Sequence, residues 1–380
     1  MPLFRAVFLS KQGWQTTLYL PWLKPEQQHY CFENRRFYHP EEQQAYIQNW
    51  LPEELRPWLP EIQFYKAWYH KAWGVIYPGQ SFARLVTQDH VLLEEPEHLF
   101  WTQPWSSFKH RRRQVTGIVH TNYKKYTEGY PEINRRLFYS YNRFLMQRIC
   151  HRLICTSSVQ QDICRLSQCR VENVNGVNPL FFRQPAAPPS QQGCYFMGKL
   201  VPEKGLAELF EGLQAVGMQT IDLFGQGDRV WVNALAACHH ITPNFKGISP
   251  QPWHDLVDYK IFVNCSRSEI LCTATADALA MQKWVIVPQH PSNEFFYPFQ
   301  NCLVYADMAE FKRHFLYALA HDPAYDPNTR QLSWEAATQR LLKSVAITSG
   351  KQDADRKDIR SKNGRMPFFL KNNSKNNLRR

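Results

Sequence analysis

Short runs of β-branched and aromatic residues alternate with segments of helical periodicity along nearly the whole chain. This alternation is typical of parallel sheets that are covered by crossover helices. It predicts an α/β protein throughout. The candidate strands are residues 15–20, 63–68, 90–95, 115–120, 152–157, 194–198, 220–225, 260–265 and 284–289.

A proline-rich segment predicts the division into domains. Residues 184–193, QPAAPPSQQG, contain three prolines and no large apolar residue, and the alternation continues on both sides. We therefore expect an N-terminal domain over 1–183, a linker over 184–193 and a C-terminal domain over 194–345. Ligands of two such domains are expected in a cleft beside the carboxyl ends of the strands. Residues 346–380 read as a basic disordered tail.

The charge balance favours an anionic partner. The 380 residues include 45 Lys plus Arg against 33 Asp plus Glu, which gives a formal charge of +12. Nucleic acid, a nucleotide phosphate and an anionic lipid surface all fit this balance. Residues 351–380 alone hold ten of the basic residues and three of the acids. The excess is therefore mostly in the tail, which weakens the nucleic-acid alternative because no nucleic-acid motif accompanies it.

Cysteine spacing and hydropathy restrict the class of protein further. The ten cysteines form no CxxC pair and match no common zinc pattern, so we expect mostly buried thiols in a reducing compartment. No apolar run approaches the ~20 residues that span a bilayer, and the first residues lack a signal-peptide core. Any membrane attachment is therefore expected to be peripheral.

Three segments of the C-terminal half offer groups for a phosphorylated sugar. CYFMGKLVPEKGLAELF places Lys199 and Lys204 between a strand and a helix, where backbone N–H groups and cations can hold an anion, although a solvated loop would look the same. LFGQGD puts Gly225 directly after a strand, where the backbone can turn tightly. In SRSEILCTATADALAMQK, Glu269 and Asp277 form an acid-x7-acid pair. Together the lysines and acids predict a nucleotide-sugar site.

These residues also carry a family resemblance. MGKLVPEKG, FGQGD, the acid-x7-acid segment and HPSNEFF resemble the donor half of the retaining GT-B glycosyltransferases of family 4. LLEEPEHLFW, GIVHTNYKKY, VNGVNPLFF and LSWEAATQR narrow the resemblance to the digalactosyldiacylglycerol synthases of plants and algae. It implies a GT-B fold of two Rossmann-like domains with a cleft between them. It also implies transfer of galactose from UDP-galactose to monogalactosyldiacylglycerol, with retention at the anomeric carbon.

The resemblance assigns roles to individual residues. His120, at the end of VTGIVH, and Glu269 are the implied catalytic residues, while Asp277 would hold the ribose. Leu271, Cys272 and Thr273 would present backbone amides to the donor. The full donor-binding set is Lys199, Lys204, Gly225, Leu271, Cys272, Thr273 and Asp277. No DxD-type pair stands beside the donor, so we expect a reaction that needs neither metal nor cofactor.

A lipid acceptor implies contact with a membrane surface. Trp and Tyr favour membrane interfaces, and a basic cluster can meet anionic headgroups. The resemblance implies the plastid outer envelope in a plant or alga and the cytoplasmic face of a membrane in a cyanobacterium. The candidate contacts in the first domain are Trp50, Trp58, Trp68, Trp73, Trp101, Trp105 and Lys109–Arg113.

The chain also departs from the family pattern. Asp277 stands where the family generally has Glu, and Gln282 stands where Gly is usual. MPLFRAVFL resembles the first helix of the first domain, so we expect that domain to lack its first strand, as in a fragment or a misassigned start. The role of Glu94, Glu95, Glu97 and His98 stays open between structure and acceptor contact. A GT-B transferase with another UDP-sugar or lipid is the alternative function.

Overall fold

The computed structural model describes residues 1–32, 35–71, 74–103, 108, 113–160, 165–183, 192–346 and 365–369. The chain divides into two compact units. Unit 1 comprises residues 1–156, 160–175 and 337–380, and unit 2 comprises residues 157–159 and 176–336. Each unit is built on one sheet.

The elements of unit 1 alternate as the sequence predicts. Its strands are β1 Gln15–Trp22, β2 Glu61–His70, β3 Val75–Pro78, β4 His90–Glu94, β5 Gln114–Val119, β6 Arg152–Cys155, β7 Cys169–Val171 and a late strand, β14, at Arg365–Phe369. Its helices are α1 Pro2–Lys11, α2 Pro25–Phe32, α3 Pro40–Trp50, α4 Phe82–Leu85, α5 Pro96–Phe100, α6 Tyr123–Tyr126 and α7 Glu132–Ile149.

The described strands of unit 1 lie in the order β3-β2-β1-β14-β4-β5-β6-β7. All neighbours are parallel except β2 and β3. Parallel neighbours bring their carboxyl ends to one edge of the sheet. Glu94 at the end of β4 is in register with Ile118 of β5. The loop after β4 and His120 after β5 are therefore neighbours.

Strand β14 differs from the sequence prediction. We expected the first domain to lack a strand and residues 346–380 to be disordered, yet Arg365–Phe369 pairs in parallel with both β1 and β4. The segment belongs to RMPFFL, an apolar run within the basic tail. Such a run suits the centre of a parallel sheet. It pairs backbone groups of β1 and β4 that would otherwise lack partners, although Pro367 has no N–H to donate. Residues 347–364 and 370–380 lie outside the described residues.

Unit 2 has a parallel sheet among its described strands, in the order β10-β9-β8-β11-β12-β13. The chain order reverses between β8 and β11, and ligands of such sheets bind beside the carboxyl ends at a reversal of this kind. The strands are β8 Cys194–Met197, β9 Thr220–Phe224, β10 Thr242–Gly247, β11 Ile261–Val263, β12 Trp284–Pro288 and β13 Cys302–Tyr305. The helices are α8 Leu206–Ala215, α9 Arg229–Cys238, α10 Pro252–Asp255, α11 Thr273–Ala280 and α12 Met308–Ala320. The last helix, α13 Trp334–Ala346, begins in unit 2 and continues into unit 1.

Short 3-10 helices of one or two turns occupy several of the connections. They cover Glu53–Trp58, Ser158–Gln160, Pro179–Phe182, Pro202–Lys204, Pro291–Phe296 and Pro327–Leu332. Among the described residues, no helix combines the length and the apolarity required to cross a bilayer.

The nine predicted strands are all confirmed. Leu206, Leu209, Phe210 and Leu213 lie on one side of α8 and are fully buried in the core of unit 2. Five of the described strands, β3, β7, β10, β13 and β14, were not predicted.

The boundaries of the units differ from the predicted domains. Unit 1 ends its first part at residue 175 rather than 183, and α13 returns the chain to it from residue 337 onward. Arg340 of α13 donates from Nε to the carbonyl oxygen of Asn173 at 2.6 Å and lies 3.7 Å from Glu172. This contact between distant parts of the chain has no local sequence signal. The predicted linker lies outside the described residues over 184–191.

Candidate functional site

The loops that follow β8 and β9 are bonded to each other. The N–H of Gly198 donates to the carbonyl of Phe224 at 2.9 Å, and the N–H of Leu200 donates to the carbonyl of Gln226 at 2.9 Å. Gly225 has a φ of 141°, and a Cβ at this position would lie 1.8 Å from the carbonyl oxygen of Gly198. Glycine at 225 is therefore required by the close approach of the two loops, in addition to any ligand.

Lys204 and Glu269, which are 65 residues apart, form an ion pair in unit 2. Lys204 stands just before α8, and Glu269 lies in the loop between β11 and α11. The Lys204 ammonium donates to Oε1 of Glu269, and both side chains remain about one-fifth exposed. Because solvent reaches the pair, the ammonium can exchange this partner for a phosphate. Lys199 is exposed in the loop after β8.

The start of α11 suits an anion. Leu271 and Cys272 lead into the helix, which begins at Thr273, and the Cys272 side chain does not cap the helix. Burial, followed by the nearby charge of Glu269, raises the pKa of the Cys272 thiol. The thiol is therefore neutral and does not repel an anion at the first turn. The backbone N–H groups of that turn carry the positive end of the helix dipole.

Asp277 lies on the second turn of α11 and is buried. Burial, and after it the charge of Asp277, raises the pKa of Tyr195 on β8, which places the carboxylate near that strand. Asp277 is eight residues beyond Glu269, and both residues therefore belong to the β11–α11 region. The predicted donor-binding residues are thus distributed over the loops after β8, β9 and β11 within one unit.

The structure explains the unusual Gln282. Its φ is 58°, in the left-handed region where glycine is favoured. Its side chain compensates, because Oε1 accepts from the N–H of Asp326 at 2.8 Å and Nε2 donates to Oγ1 of Thr329 at 2.8 Å. Gln282 therefore links the end of α11 to the segment before α13.

Unit 1 holds His120 through a buried network. Arg5 of α1 is fully buried, and its Nε donates to Oε1 of Glu94 at 2.8 Å. The other guanidinium nitrogens donate to the carbonyl oxygen of Val174 and, at 2.8 Å, to Oδ1 of Asn175. Oε2 of Glu94 lies 2.6 Å from Nε2 of His120. One carboxylate thus joins the arginine to the histidine.

The protonation state of Glu94 follows from these contacts. Burial by itself would raise the pKa of the Glu94 carboxyl, but the Arg5 charge and the hydrogen bond with His120 outweigh it. Together they lower that pKa to about 2. The carboxylate is therefore ionised and able to fix the His120 ring in one orientation.

The loop after β4 also supports His120. The N–H of His120 donates to Oε1 of Glu95 at 2.9 Å, and the Tyr123 hydroxyl donates to Glu97. Glu94 and Glu95 therefore have a structural role. Among the described residues, Glu95, Glu97 and His98 bring potential ligand atoms within 4.8 Å of one another, close enough to hold a metal ion. Glu95 and Glu97 already accept hydrogen bonds from His120 and Tyr123, so we assign no metal.

Comparison with curated proteins decides the family. The chain is 37% identical over 365 residues to "Digalactosyldiacylglycerol synthase 1, chloroplastic" of Glycine max. The alignment covers 90% of this chain and 46% of that protein. The chain is also 35% identical over 370 residues to "Digalactosyldiacylglycerol synthase 2, chloroplastic" of the same plant, and that alignment covers 91% of this chain and 79% of that protein. The chain belongs to the digalactosyldiacylglycerol synthase family.

This chain spans about half the length of the synthase 1 relatives that it matches. A scan against protein-family models finds no match. Among solved structures, "lipopolysaccharide outer core galactosyltransferase WaaB apo form" superposes with a TM-score of 0.55 at 13% identity, covering 87% of this chain and 99% of that chain. At this identity the likeness shows the fold alone, and it confirms the GT-B class for this synthase-family chain.

Two charged residues near the site were not singled out from the sequence. Arg5 carries a signal, since it is the charged residue within the apolar run PLFRAVFL. An arginine buried in such a helix requires an acidic partner. Arg267 follows β11 and pairs with Glu208 of α8 at 3.0 Å. Nothing local in the sequence of this family member distinguishes Arg267 from an ordinary surface arginine.

Proposed function

We propose that the chain transfers galactose from UDP-galactose to monogalactosyldiacylglycerol and forms digalactosyldiacylglycerol with retention at the anomeric carbon. Membership of the family supports the product of this reaction, because the relatives are named for digalactosyldiacylglycerol synthesis. The observation that carries the proposal is the solvent-accessible Lys204–Glu269 pair, which stands beside the uncapped start of α11. A diphosphate and a sugar need this combination of cation, amide and carboxylate.

Unit 2 is proposed to bind the donor. Lys199 and Lys204 neutralise the diphosphate, and the amides of 271–273 add hydrogen bonds to it. Once Lys204 turns to the phosphate, Glu269 is released to accept hydrogen bonds from the galactose hydroxyls. Asp277 holds the ribose, and Gly225 leaves room for the nucleotide.

The cations and amides stabilise the leaving UDP. Negative charge grows on its β-phosphate as the anomeric bond breaks, so fixed positive groups favour the transition state over the ground state. Two lysines and a helix N-terminus supply this charge, and we expect no requirement for a metal or a cofactor. The acceptor hydroxyl oxygen forms the new bond on the same face, and a phosphate oxygen of UDP takes its proton.

His120 is proposed as the catalytic residue of unit 1. We expect its ring to hydrogen-bond a sugar hydroxyl during the transfer. The contacts with Glu94 and Glu95 support this role, because a histidine held at both its ring and its backbone needs little reorganisation. His120 therefore acts by positioning the sugar, because the proton of the acceptor hydroxyl goes to the leaving phosphate.

The acceptor requires contact with a membrane, and we propose peripheral attachment to a membrane that contains anionic lipid. The relatives are named chloroplastic, which supports a plastid location, and within the plastid we propose the outer envelope. Of the predicted tryptophan contacts, Trp58 and Trp68 are exposed. Trp73, Trp105 and 109–112 lie outside the described residues. Nucleic acid is not proposed as a partner.

The test is turnover by the purified chain. UDP release should require both UDP-galactose and monogalactosyldiacylglycerol in detergent micelles, and the product should carry an α-linked second galactose by NMR. UDP-glucose serves as the matched donor control, and a chelator should leave the rate unchanged. Turnover with UDP-glucose alone would support the alternative donor, and failure with every donor would contradict the proposed transferase activity.

A further inference from the structure

Helix α7 presents large apolar side chains to solvent. Ile133 is 64% exposed, Leu137 63%, Tyr141 47% and Phe144 38%. Spacings of four, four and three residues place them on one side of the helix. Tyr130, 62% exposed, stands just before the first turn. Single exposed apolar residues are ordinary, but a contiguous row marks an interaction surface. These five residues are called the α7 stripe below.

The opposite side of α7 is anchored in unit 1. Leu145, Met146 and Ile149 are fully buried in the core. Asn142 is buried as well, and its Oδ1 accepts a hydrogen bond from Nε1 of Trp101 at 2.7 Å. The helix therefore cannot rotate to bury the α7 stripe without removing these residues from the core. Exposure of the stripe is a fixed property of the fold.

Arginines accompany the α7 stripe. Arg136, Arg143 and Arg148 are all exposed. The Arg148 guanidinium lies 5.3 Å from the centroid of the Phe144 ring, so a positive charge lies within the apolar row. The helix contains four arginines and a single acid, Glu132, which pairs with Arg136 at the amino end. The surface is therefore apolar and positively charged.

We propose that the α7 stripe and its arginines dock unit 1 on the surface of an anionic lipid bilayer. An anchored helix with apolar and tyrosine side chains beside arginines can lie in the interface, where the apolar groups enter the acyl boundary and the arginines meet the headgroups. The choice of a membrane as partner rests on the lipid acceptor of the proposed function. It differs from the sequence expectation, which relied on tryptophans and 109–113.

Charge argues against a second copy of the chain as occupant. In a symmetric dimer through this face, Arg143 and Arg148 of each copy would approach the arginines of the other, and no acid on the helix except Glu132 would offset them. An anionic bilayer satisfies the apolar row and the arginines together.

The experiment is co-sedimentation of the full chain with vesicles of phosphatidylcholine alone or mixed with phosphatidylglycerol. The test variant is Ile133→Ser with Leu137→Ser, and the charge variant is Arg143→Gln with Arg148→Gln. The matched control is Leu316→Ser with Leu319→Ser on α12 of unit 2, where both leucines are also exposed. All three variants change only exposed side chains, so their thermal midpoints should match that of the wild type. A matching midpoint verifies that the variant is folded.

The wild-type chain should bind the phosphatidylglycerol vesicles more tightly than the neutral ones. The Ile133/Leu137 variant should lose about tenfold in affinity, because two apolar side chains no longer enter the bilayer. The charge variant should lose the preference for phosphatidylglycerol, and the α12 control should bind as wild type. Wild-type failure to bind, an unaffected Ile133/Leu137 variant, or an equal loss in the control would each overturn the proposal.

Two further measurements separate this inference from the proposed activity. With the acceptor in detergent micelles, the Ile133/Leu137 variant should keep wild-type turnover, whereas on vesicles its turnover should fall with its binding. Absence of wild-type turnover in detergent would contradict the proposed function and leave the vesicle result standing. A wild-type dimer that the same variant converts to a monomer would show that a second copy covers the stripe, and would overturn the proposal.

Discussion

The two units hold their charged site residues in opposite ways. In unit 1, Arg5 and Glu94 are buried, and together with His120 they form a chain of short contacts. In unit 2, Lys204 and Glu269 form a single ion pair that solvent reaches. The first arrangement is complete without a ligand. The second is poised to change partners when an anion arrives.

This difference follows from the cost of burying charge. A buried ion must be compensated by the protein itself, and removal of one partner leaves the other charge stranded. An exposed pair is solvated in any case and contributes little to stability. We infer that the charges of unit 1 position one side chain, while those of unit 2 remain available for binding.

The largest expected effect is the loss of stability when the buried ion pair of unit 1 is broken. Arg5→Met leaves the Glu94 carboxylate buried without its cation and should lower the free energy of unfolding by about 3–5 kcal/mol. Lys204→Met removes the corresponding cation of unit 2 and should cost about 1 kcal/mol or less. Urea denaturation of both variants measures the contrast. Equal losses would show that burial does not distinguish the two pairs.

Acid should also weaken the buried ion pair of unit 1. The pKa of Glu94 is lowered from 4.5 to about 2 in the folded chain. Its contribution to stability, about 3 kcal/mol, is therefore complete above pH 4.5 and is lost as the pH falls toward 2. Unfolding followed from pH 6 to pH 2 should show this loss in the wild type. A Glu94→Gln variant should lack that component, and an identical pH dependence in the variant would contradict the assignment.

Loss of the exposed ion pair of unit 2 should lower activity. Lys204→Met removes a cation from the leaving diphosphate and should lower kcat/KM about 100-fold, with the folded structure retained. Arg313→Met is the matched control, because Arg313 also pairs with an acid of unit 2, Glu310 at 3.1 Å, and both residues lie on α12 rather than in the loops after β8, β9 and β11. Steady-state kinetics with UDP-galactose compare the two. Similar losses would indicate a general effect of charge.

The smallest expected effect concerns the backbone of unit 2. Gly225→Ala should destabilise the chain by about 2 kcal/mol more than Gly217→Ala. Both glycines have positive φ, but a Cβ at 225 meets the Gly198 carbonyl, whereas a Cβ at 217 has no heavy atom within 4 Å. Thermal unfolding of the two variants measures the added cost of the clash at 225 together with its φ of 141°, which is further from the left-handed helical region than the φ of 77° at 217. A smaller loss at 225 would mean that the donor loops yield easily.

Much of the local structure could be predicted because it depends on periodicity. All nine predicted strands form, and Glu269 and Asp277 lie in the β11–α11 region as expected. The strands that were missed are short or polar: β10, TPNFKG, contains a proline and lies at the edge of its sheet, so its pattern resembles a turn. From the sequence we expected Lys204 and Glu269 to belong to one site, but their ion pair was not predicted.

The sequence by itself determined the α/β class, the positions of the main strands and the family, because these depend on periodicity within short windows and on motifs read along the chain. Only the tertiary structure decided that Arg5 meets Glu94 across 89 residues and that Arg365–Phe369 enters the first sheet. The physical reason is the same in both cases. A buried charge or an unpaired strand must find its partner wherever the fold brings one near, and no local pattern records that distance.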